Sequence, residues 1–286
     1  MKRLVVILLI LLSACGSKTE TVPLFIYDGS DAYISEFIKK IQLVDQDDFI
    51  LKSFEGQNSQ IIQNEQIDQI FKEQPPLMII NPVDRLSVYA IIEKARQTDT
   101  TIIFFNREPL ATDLASYDKV YYVGADAAQS ASLQASLIMD LFGNDPVNLN
   151  KFDKNHDGII QTVILKGEQG HQDAEARTKY VIENLVTEGY RVEVLDIGIA
   201  NWDREIAYEM MDGLLETSGE RMELLISNND AMALGAIQRL EELGYFVDSD
   251  LNGNIDREKE IWLPVVGIDG ISTAIESIKQ GYLYGT

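Results

Sequence analysis

The chain has 286 residues, 45% of them apolar and 24% charged, enough to bury a substantial core in more than one lobe. Its 46 acidic against 24 basic residues leave a formal net charge of −22, which excludes charge-driven binding of nucleic acid or of an anionic membrane surface. The same field disfavours anionic ligands, leaving a neutral or cationic small molecule as the expected partner, and it keeps the surface soluble.

At the N-terminus Lys2 and Arg3 precede an apolar run over residues 4–12, followed by Ser13-Ala14-Cys15-Gly16. That run is too short to cross a hydrocarbon core of about 30 Å, and it has the form of a signal-peptide core before small residues. L-S-A-C is similar to a bacterial lipobox, which implies a lipoprotein signal peptide over 1–14, lipidation of Cys15 and a tether over 15–22. A plain secretory signal with an incidental cysteine is the alternative. Cys15 is the only cysteine, so an intramolecular disulfide is excluded.

From Pro23 short apolar runs alternate with amphipathic stretches. Residues 23–27 predict a strand, and Ile34, Phe37, Ile38 and Ile41 then fall on one helical face. A strand at 49–54 and a helix around Ile61–Phe71, stopped by Pro75-Pro76, come next. A strand at 77–80, a helix at 84–97 capped by Asp84, and strands at 101–105 and 121–123 close a first lobe over 23–125. The second lobe, 126–286, repeats the rhythm with helices at 127–142, 173–185, 202–215, 230–243 and 271–278. Its strands fall at 162–165, 191–195, 224–226 and 264–268. Strands alternating with helices of this length predict an α/β protein of two doubly wound parallel-sheet lobes with a ligand cleft between them.

Ligands of open parallel sheets bind beyond the carboxyl ends of the strands. There the sequence places Asp28, Asp31 and Tyr33, then Asn106, then His171 and Asp173, then Asn228, Asn229 and Asp230, and finally Asp269. No G-x-S-x-G elbow, H-E-x-x-H pair or glycine-rich phosphate loop accompanies them. Carboxylates, amides, one imidazole and the guanidinium of Arg177 suit a polyhydroxyl ligand, whose hydroxyls donate and accept at once. Tyr33 and Trp202 offer faces for a sugar ring. The plainer reading is that residues such as Asp173 and Asp230 only cap helices.

Before the strand at 162–165, D-K-N-H-D-G-I-I-Q at 153–161 has the oxygen-rich pattern that wraps a hard divalent cation. Asp153, Asn155 and Asp157 stand at positions one, three and five of an EF-hand-like loop, Gly158 at the turn, Ile159 at the carbonyl position and Gln161 at position nine. A turn without metal is the alternative. D-S-D-L-N-G-N-I-D at 248–256 has similar spacing, but Lys259 falls at position twelve and Glu258 and Glu260 flank it out of register. It is read as an exposed loop, with a weak calcium site as the alternative.

The motifs I-I-E-K-A-R at 91–96, F-F-N-R-E-P at 104–109, S-Y-D-K-V-Y-Y-V-G at 116–124, L-K-G-E-Q-G-H-Q-D-A-E-A-R-T at 165–178, N-N-D-A-M-A-L-G-A at 228–236 and V-G-I-D at 266–269 resemble the galactose/glucose-binding proteins of bacterial ABC sugar importers. The resemblance runs from about residue 23 to the end and implies the type I periplasmic binding protein fold. It implies that Asp31, Asn106, Asp173, Arg177, Asn229 and Asp269 hydrogen-bond an aldohexose, D-galactose or D-glucose, with His171 assisting. Tyr33, where the family has phenylalanine, would sandwich the ring against Trp202. Arg107 stands for a lysine, a change expected to matter little. The resemblance also implies calcium held by Asp153, Asn155, Asp157, Ile159, Gln161 and a carboxylate from a distant strand, Glu223. It implies ABC permease partners, an extracytoplasmic location and a monomer, to which the lipobox-like stretch adds a lipid anchor to the membrane. By the family pattern another sugar-binding asparagine and a return strand and helix follow position 286, so the last elements of the N-terminal lobe are expected to be missing.

Two other functions share parts of this pattern. A sugar-acting enzyme would use Asp31 and Asp173 as an acid/base pair, against which Arg177 is expected to hold Asp173 ionised. A repressor's effector domain is opposed by the signal peptide and by the lack of a basic helix-turn-helix. Within the binding class, another sugar such as ribose is the alternative ligand.

Overall fold

The computed structural model describes residues 20–44 and 49–286. The signal peptide over 1–14, Cys15 and most of the tether therefore lie outside the described residues.

The first lobe is a parallel sheet of β1 (Glu20–Ile26), β2 (Phe49–Glu55), β3 (Leu77–Ile80), β4 (Thr101–Phe105) and β5 (Val120–Val123), in the order β2-β1-β3-β4-β5. It carries α1 (Ala32–Gln42), α2 (Gln60–Phe71), α3 (Tyr89–Thr98) and the short α4 (Ala111–Leu114). Period-two alternation sorts its core onto two faces. Phe25, Met78, Ile80, Ile102 and Phe104 pack against Ile67, Ile70, Ile91 and Ile92 of α2 and α3. On the other face Leu24 and Ile26 meet Ile34 and Ile38 of α1.

The second lobe has β6 (Ile160–Lys166), β7 (Val192–Ile199), β8 (Leu224–Ser227) and β9 (Val265–Val266), also parallel, in the order β7-β6-β8-β9. Around it lie α5 (Ala127–Leu141), α6 (Gln172–Thr187), α7 (Arg204–Ser218), α8 (Asp230–Glu242) and α9 (Ser272–Lys279). All seven residues of the central strand β6 are buried, as helices on both faces of a parallel sheet require. Among the described residues the chain passes between lobes once, over 124–126.

Three local expectations are corrected. Glu20 to Val22, assigned to the tether, pair with Phe49 to Leu51 and belong to β1, so the sheet begins before Pro23. The helix expected from 84 begins at Tyr89, because Asp84 spends its carboxylate on a separate turn, accepting from the Leu86 N–H and the Ser87 hydroxyl. The helix expected from Trp202 begins at Arg204, capped by Asp203, whose side chain accepts the Ile206 N–H at 2.9 Å.

Strand order reverses between β1 and β3 in one lobe and between β6 and β8 in the other. Both reversals open crevices at carboxyl ends, and the two crevices face each other.

Candidate functional site

A cavity of about 310 Å³ lies between the lobes, near the lower end of the range of about 300–1,000 Å³ for small-molecule sites. Asp31, Tyr33, Asn106, His171, Asp173, Arg177, Trp202, Asn229 and Asp269 all line it. Tyr27, Phe37, Phe105 and Arg107 line it too. None of these four was expected to bind sugar: Tyr27 and Phe105 read as strand residues, Phe37 as one face of a helix, and Arg107 as a change of little weight.

Each polar residue is fixed by the element that carries it. Asp31 caps α1, its Oδ1 accepting the Ile34 N–H at 2.9 Å, and its Oδ2 accepts the Tyr27 hydroxyl at 2.5 Å. Asn81 Nδ2 donates to Asn106 Oδ1 at 3.1 Å, which leaves the Asn106 amide N–H groups to face the cavity as donors. The caps of α6 and α8 are His171 and Asn229, not Asp173 and Asp230. His171 Nδ1 accepts the Asp173 N–H at 3.2 Å, and Asn229 Oδ1 accepts the Met232 N–H at 2.9 Å. Capping and lining thus coexist in the same side chains, and Asp173 is released from capping.

Arg177 sits among these groups. Its Nη1 donates to the Asn228 carbonyl at 2.7 Å and lies 3.5 Å from Asp269, while Nη2 lies 3.6 Å from Asp173. Both ion pairs are longer than a charge-assisted hydrogen bond. Burial pushes the carboxyls of Asp173 and Asp269 up, Asp269 strongly, and Arg177 opposes this without overcoming it. The expectation that Arg177 holds Asp173 ionised is corrected in its balance: desolvation outweighs the cation and the carboxyl is pushed up. His171 is pushed down to about 3 by burial, then by Arg107 and Arg177, so its imidazole is neutral with Nε2–H as donor.

The aromatic residues come from opposite lobes. Tyr33 stacks on Phe37 at 6.1 Å, and Phe37 on Phe105 at 5.4 Å, forming one wall. Trp202 meets His171 edge-on at 5.1 Å. A Cβ at Gly167 would lie 2.4 Å from the indole, so only glycine lets Trp202 settle against that loop. Asn106, Trp202 and Asp269 have φ of +61°, +69° and +125°. Strained backbone at three lining residues is the pattern of a site whose geometry the surroundings over-determine.

The loop before β6 forms the second constellation. Asp153 is buried and accepts the Asp157 N–H at 3.2 Å and the Gly158 N–H at 3.0 Å. Glu223, also buried, reaches in from the start of β8 to accept the Lys154 N–H at 2.6 Å and the Gln161 N–H at 3.3 Å. Asn155 and Asp157 are exposed and hydrogen-bonded to each other at 3.1 Å, and Ile159 donates its N–H to Asp157 at 2.8 Å. Gln161 Oε1 is buried without a partner. Burial pushes the Glu223 carboxyl up, and Asp153 adds to the shift. An unpaired amide oxygen beside two buried, mutually repelling carboxylates is a donor set that fits a hard cation.

The loop at 248–256 repeats this hydrogen-bond skeleton on the surface. Asp248 accepts the Gly253 N–H at 2.7 Å, and Glu260 accepts the N–H groups of Ser249 at 2.6 Å and Asp256 at 2.9 Å. The register objection is corrected: Glu260, one place beyond Lys259, takes the position that Glu223 takes in the first loop. Oxygens of Asp248, Asp250 and Glu260 lie within 4.8 Å of one another.

Comparison with known proteins agrees with this architecture. The profile of the periplasmic binding protein domain matches residues 22–286. The D-galactose/methyl-galactoside binding periplasmic protein MglB of Haemophilus influenzae is 39% identical over 81% of this chain and 64% of its own length. A putative rhizopine-binding protein of Rhizobium meliloti is 29% identical over 68% of this chain and 58% of its own length. The chain thus spans less than two thirds of either relative. An ABC transporter solute binding protein from Bacillus halodurans with bound myo-inositol superposes with a TM-score of 0.72 at 26% identity, covering 93% of this chain and 82% of that one. One from Actinobacillus succinogenes with bound D-allose has a TM-score of 0.72 at 22% identity, covering 91% and 82%. The chain belongs to the periplasmic binding protein family.

Proposed function

We infer that this chain is the substrate-binding lipoprotein of an ABC-type monosaccharide importer and binds D-galactose or D-glucose between its lobes without chemical turnover. The observation that carries the reading is the cavity itself. Three carboxylates, two amides, two guanidiniums and one neutral imidazole converge on it between Tyr33 and Trp202 of opposite lobes. Asp31, Asp173 and Asp269 accept from sugar hydroxyls, Arg177, Asn106 and His171 donate to them, and Asn229 donates through the N–H not spent on Trp202. The ring lies between Tyr33 and Trp202. The named function of MglB supports the galactose choice. A cyclic polyol presents the same hydroxyl chemistry, so myo-inositol is the control ligand.

Asp153, Asn155, Asp157, the Ile159 carbonyl, Gln161 and Glu223 would hold a structural calcium ion, which supplies positive charge and no reaction. Cys15 would carry the lipid anchor, placing a monomer on the outer side of the cytoplasmic membrane or in the periplasm, where its closed form is offered to the permease. Calorimetric titration with D-galactose, D-glucose and myo-inositol, followed in parallel by Trp202 fluorescence, tests the ligand. Heat and quenching with a hexose that Trp202→Ala abolishes are expected. No response to either hexose at millimolar concentration defeats the reading.

A further inference from the structure

Arg107 follows β4 in the first lobe and is 5% exposed. Its Nη1 donates to the Val83 carbonyl at 2.5 Å, and its Nη2 lies 3.1 Å from Glu168 of the second lobe. The guanidinium carbon sits 3.9 Å from the centroid of the Tyr27 ring. The Tyr27 hydroxyl in turn donates to Asp31 Oδ2 at 2.5 Å. Four side chains therefore run in unbroken contact from the far lobe to a carboxylate that lines the cavity.

The geometry points to Arg107 and Tyr27 as positioning residues that couple lobe closure to the orientation of Asp31, with Glu168 as the trigger from the opposite lobe. Glu168 lies between β6 and α6, so its contact with Arg107 forms when the lobes meet. An arginine is required. Its planar fork reaches a carbonyl and a carboxylate at once while its face covers a ring, which a lysine ammonium does not do. With the guanidinium on one face, the Tyr27 ring is held so that its hydroxyl meets Asp31. That bond and the Ile34 N–H together occupy both oxygens of Asp31 and fix the lone pairs left for a ligand. The lysine-to-arginine difference, expected to matter little, thus supplies one of the contacts between the two lobes.

A separate inter-lobe contact lets this be tested without losing closure. Glu36 of α1 accepts the N–H and hydroxyl of Ser272, at the start of α9, at 2.9 and 3.0 Å. It shares no residue with the Arg107–Glu168 pair, so it is expected to stay intact when Glu168 is changed.

The inference rests on the sugar-binding reading, and its test is a double-mutant cycle on D-galactose affinity with Glu168→Gln and Tyr27→Phe. These residues lie in different lobes, and among the described residues the contacts between them run through Arg107. Each single change is expected to weaken binding about tenfold, and the pair together by no more than about twentyfold. Arg107→Lys, which keeps the charge, is expected to lose as much as Glu168→Gln. Losses that multiply to about a hundredfold, as independent sites would give, overturn the coupling. If the unaltered chain binds no galactose, the sugar reading fails and the coupling is read without ligand. The ¹³C resonance of the Asp31 carboxylate, assigned by its loss in Asp31→Asn, then has to move in Glu168→Gln. A resonance that stays in place overturns it.

Discussion

Asp230 shows how one buried carboxyl sets a pH dependence that has nothing to do with ligand. It is fully buried, one oxygen accepts the Ile271 N–H at 3.1 Å, and the other has no partner. Burial pushes it up to about 6 from an ordinary 3.8, against the hydrogen bonds and Arg177, which pull it down. Between these values the folded state holds a proton that the unfolded chain has released. Stability from this group is therefore complete below about pH 4 and lost as pH rises through 6, by about 3 kcal/mol. Asp230→Asn cannot ionise, so its stability relative to the unaltered chain is expected to rise by that amount from pH 4 to pH 7 in urea melts. A difference that does not change with pH counts against the assignment. His171 shifts the other way, to about 3, so its ¹⁵N resonances are expected to show the neutral Nε2–H form throughout pH 5–8. A titration near 6.5 contradicts that. Neither shift is legible in sequence, since both arise from burial between elements far apart in the chain. Part of the lining was legible, because Asn106, Asn229 and Asp269 stand just beyond β4, β8 and β9, whereas Tyr27, Phe37, Phe105 and Arg107 were not.

At the scale of elements, the loop over 153–161 joins β6 to β8 through Glu223. Glu223 contacts the loop by two backbone N–H groups, so the two central strands of the second lobe share one carboxylate. A cation bound only to the folded arrangement stabilises it by mass action, about 2.7 kcal/mol at a hundredfold excess over Kd. Chelation is accordingly expected to lower the melting temperature of this lobe by several degrees. Glu223→Gln is expected to do the same and to abolish any further effect of chelator. A melt insensitive to chelator, with calcium silent in calorimetry, would falsify the calcium proposal. The loop was readable from side-chain spacing alone; Glu223 was not, because only the pairing of Thr162 with Leu224 brings it there. Helix starts were misjudged for a related reason. A polar residue such as Asp84 or Asp203 advertises a cap, but which N–H it takes depends on the turn that forms around it.

At the scale of the whole molecule, the two lobes are unequal partners. The second has one continuous core built on a strand buried along its full length. The first divides its core between two faces, and on β5 Tyr121 and Val123 remain 54% and 59% exposed. With a single covalent passage at 124–126 among the described residues, little obliges the lobes to unfold together. Without ligand, calorimetry is expected to show two transitions, the first lobe melting at the lower temperature. The chain carries its own reporters for this assignment. Both tryptophans, Trp202 and Trp262, belong to the second lobe, so tryptophan fluorescence follows the upper transition while circular dichroism follows both. A calcium ion held as proposed would touch residues of the second lobe only, and its removal is expected to lower the upper transition and leave the other in place. A hexose held, as proposed, by Asp31 and Asn106 from one side and by Asp173, Arg177 and Asp269 from the other would stabilise both lobes at once. It is expected to raise the lower transition more, drawing the two together. One cooperative transition, followed alike by both probes and moved alike by chelator and sugar, would show that the inter-lobe pairs Glu36–Ser272 and Arg107–Glu168 already make the molecule a single unit before ligand arrives.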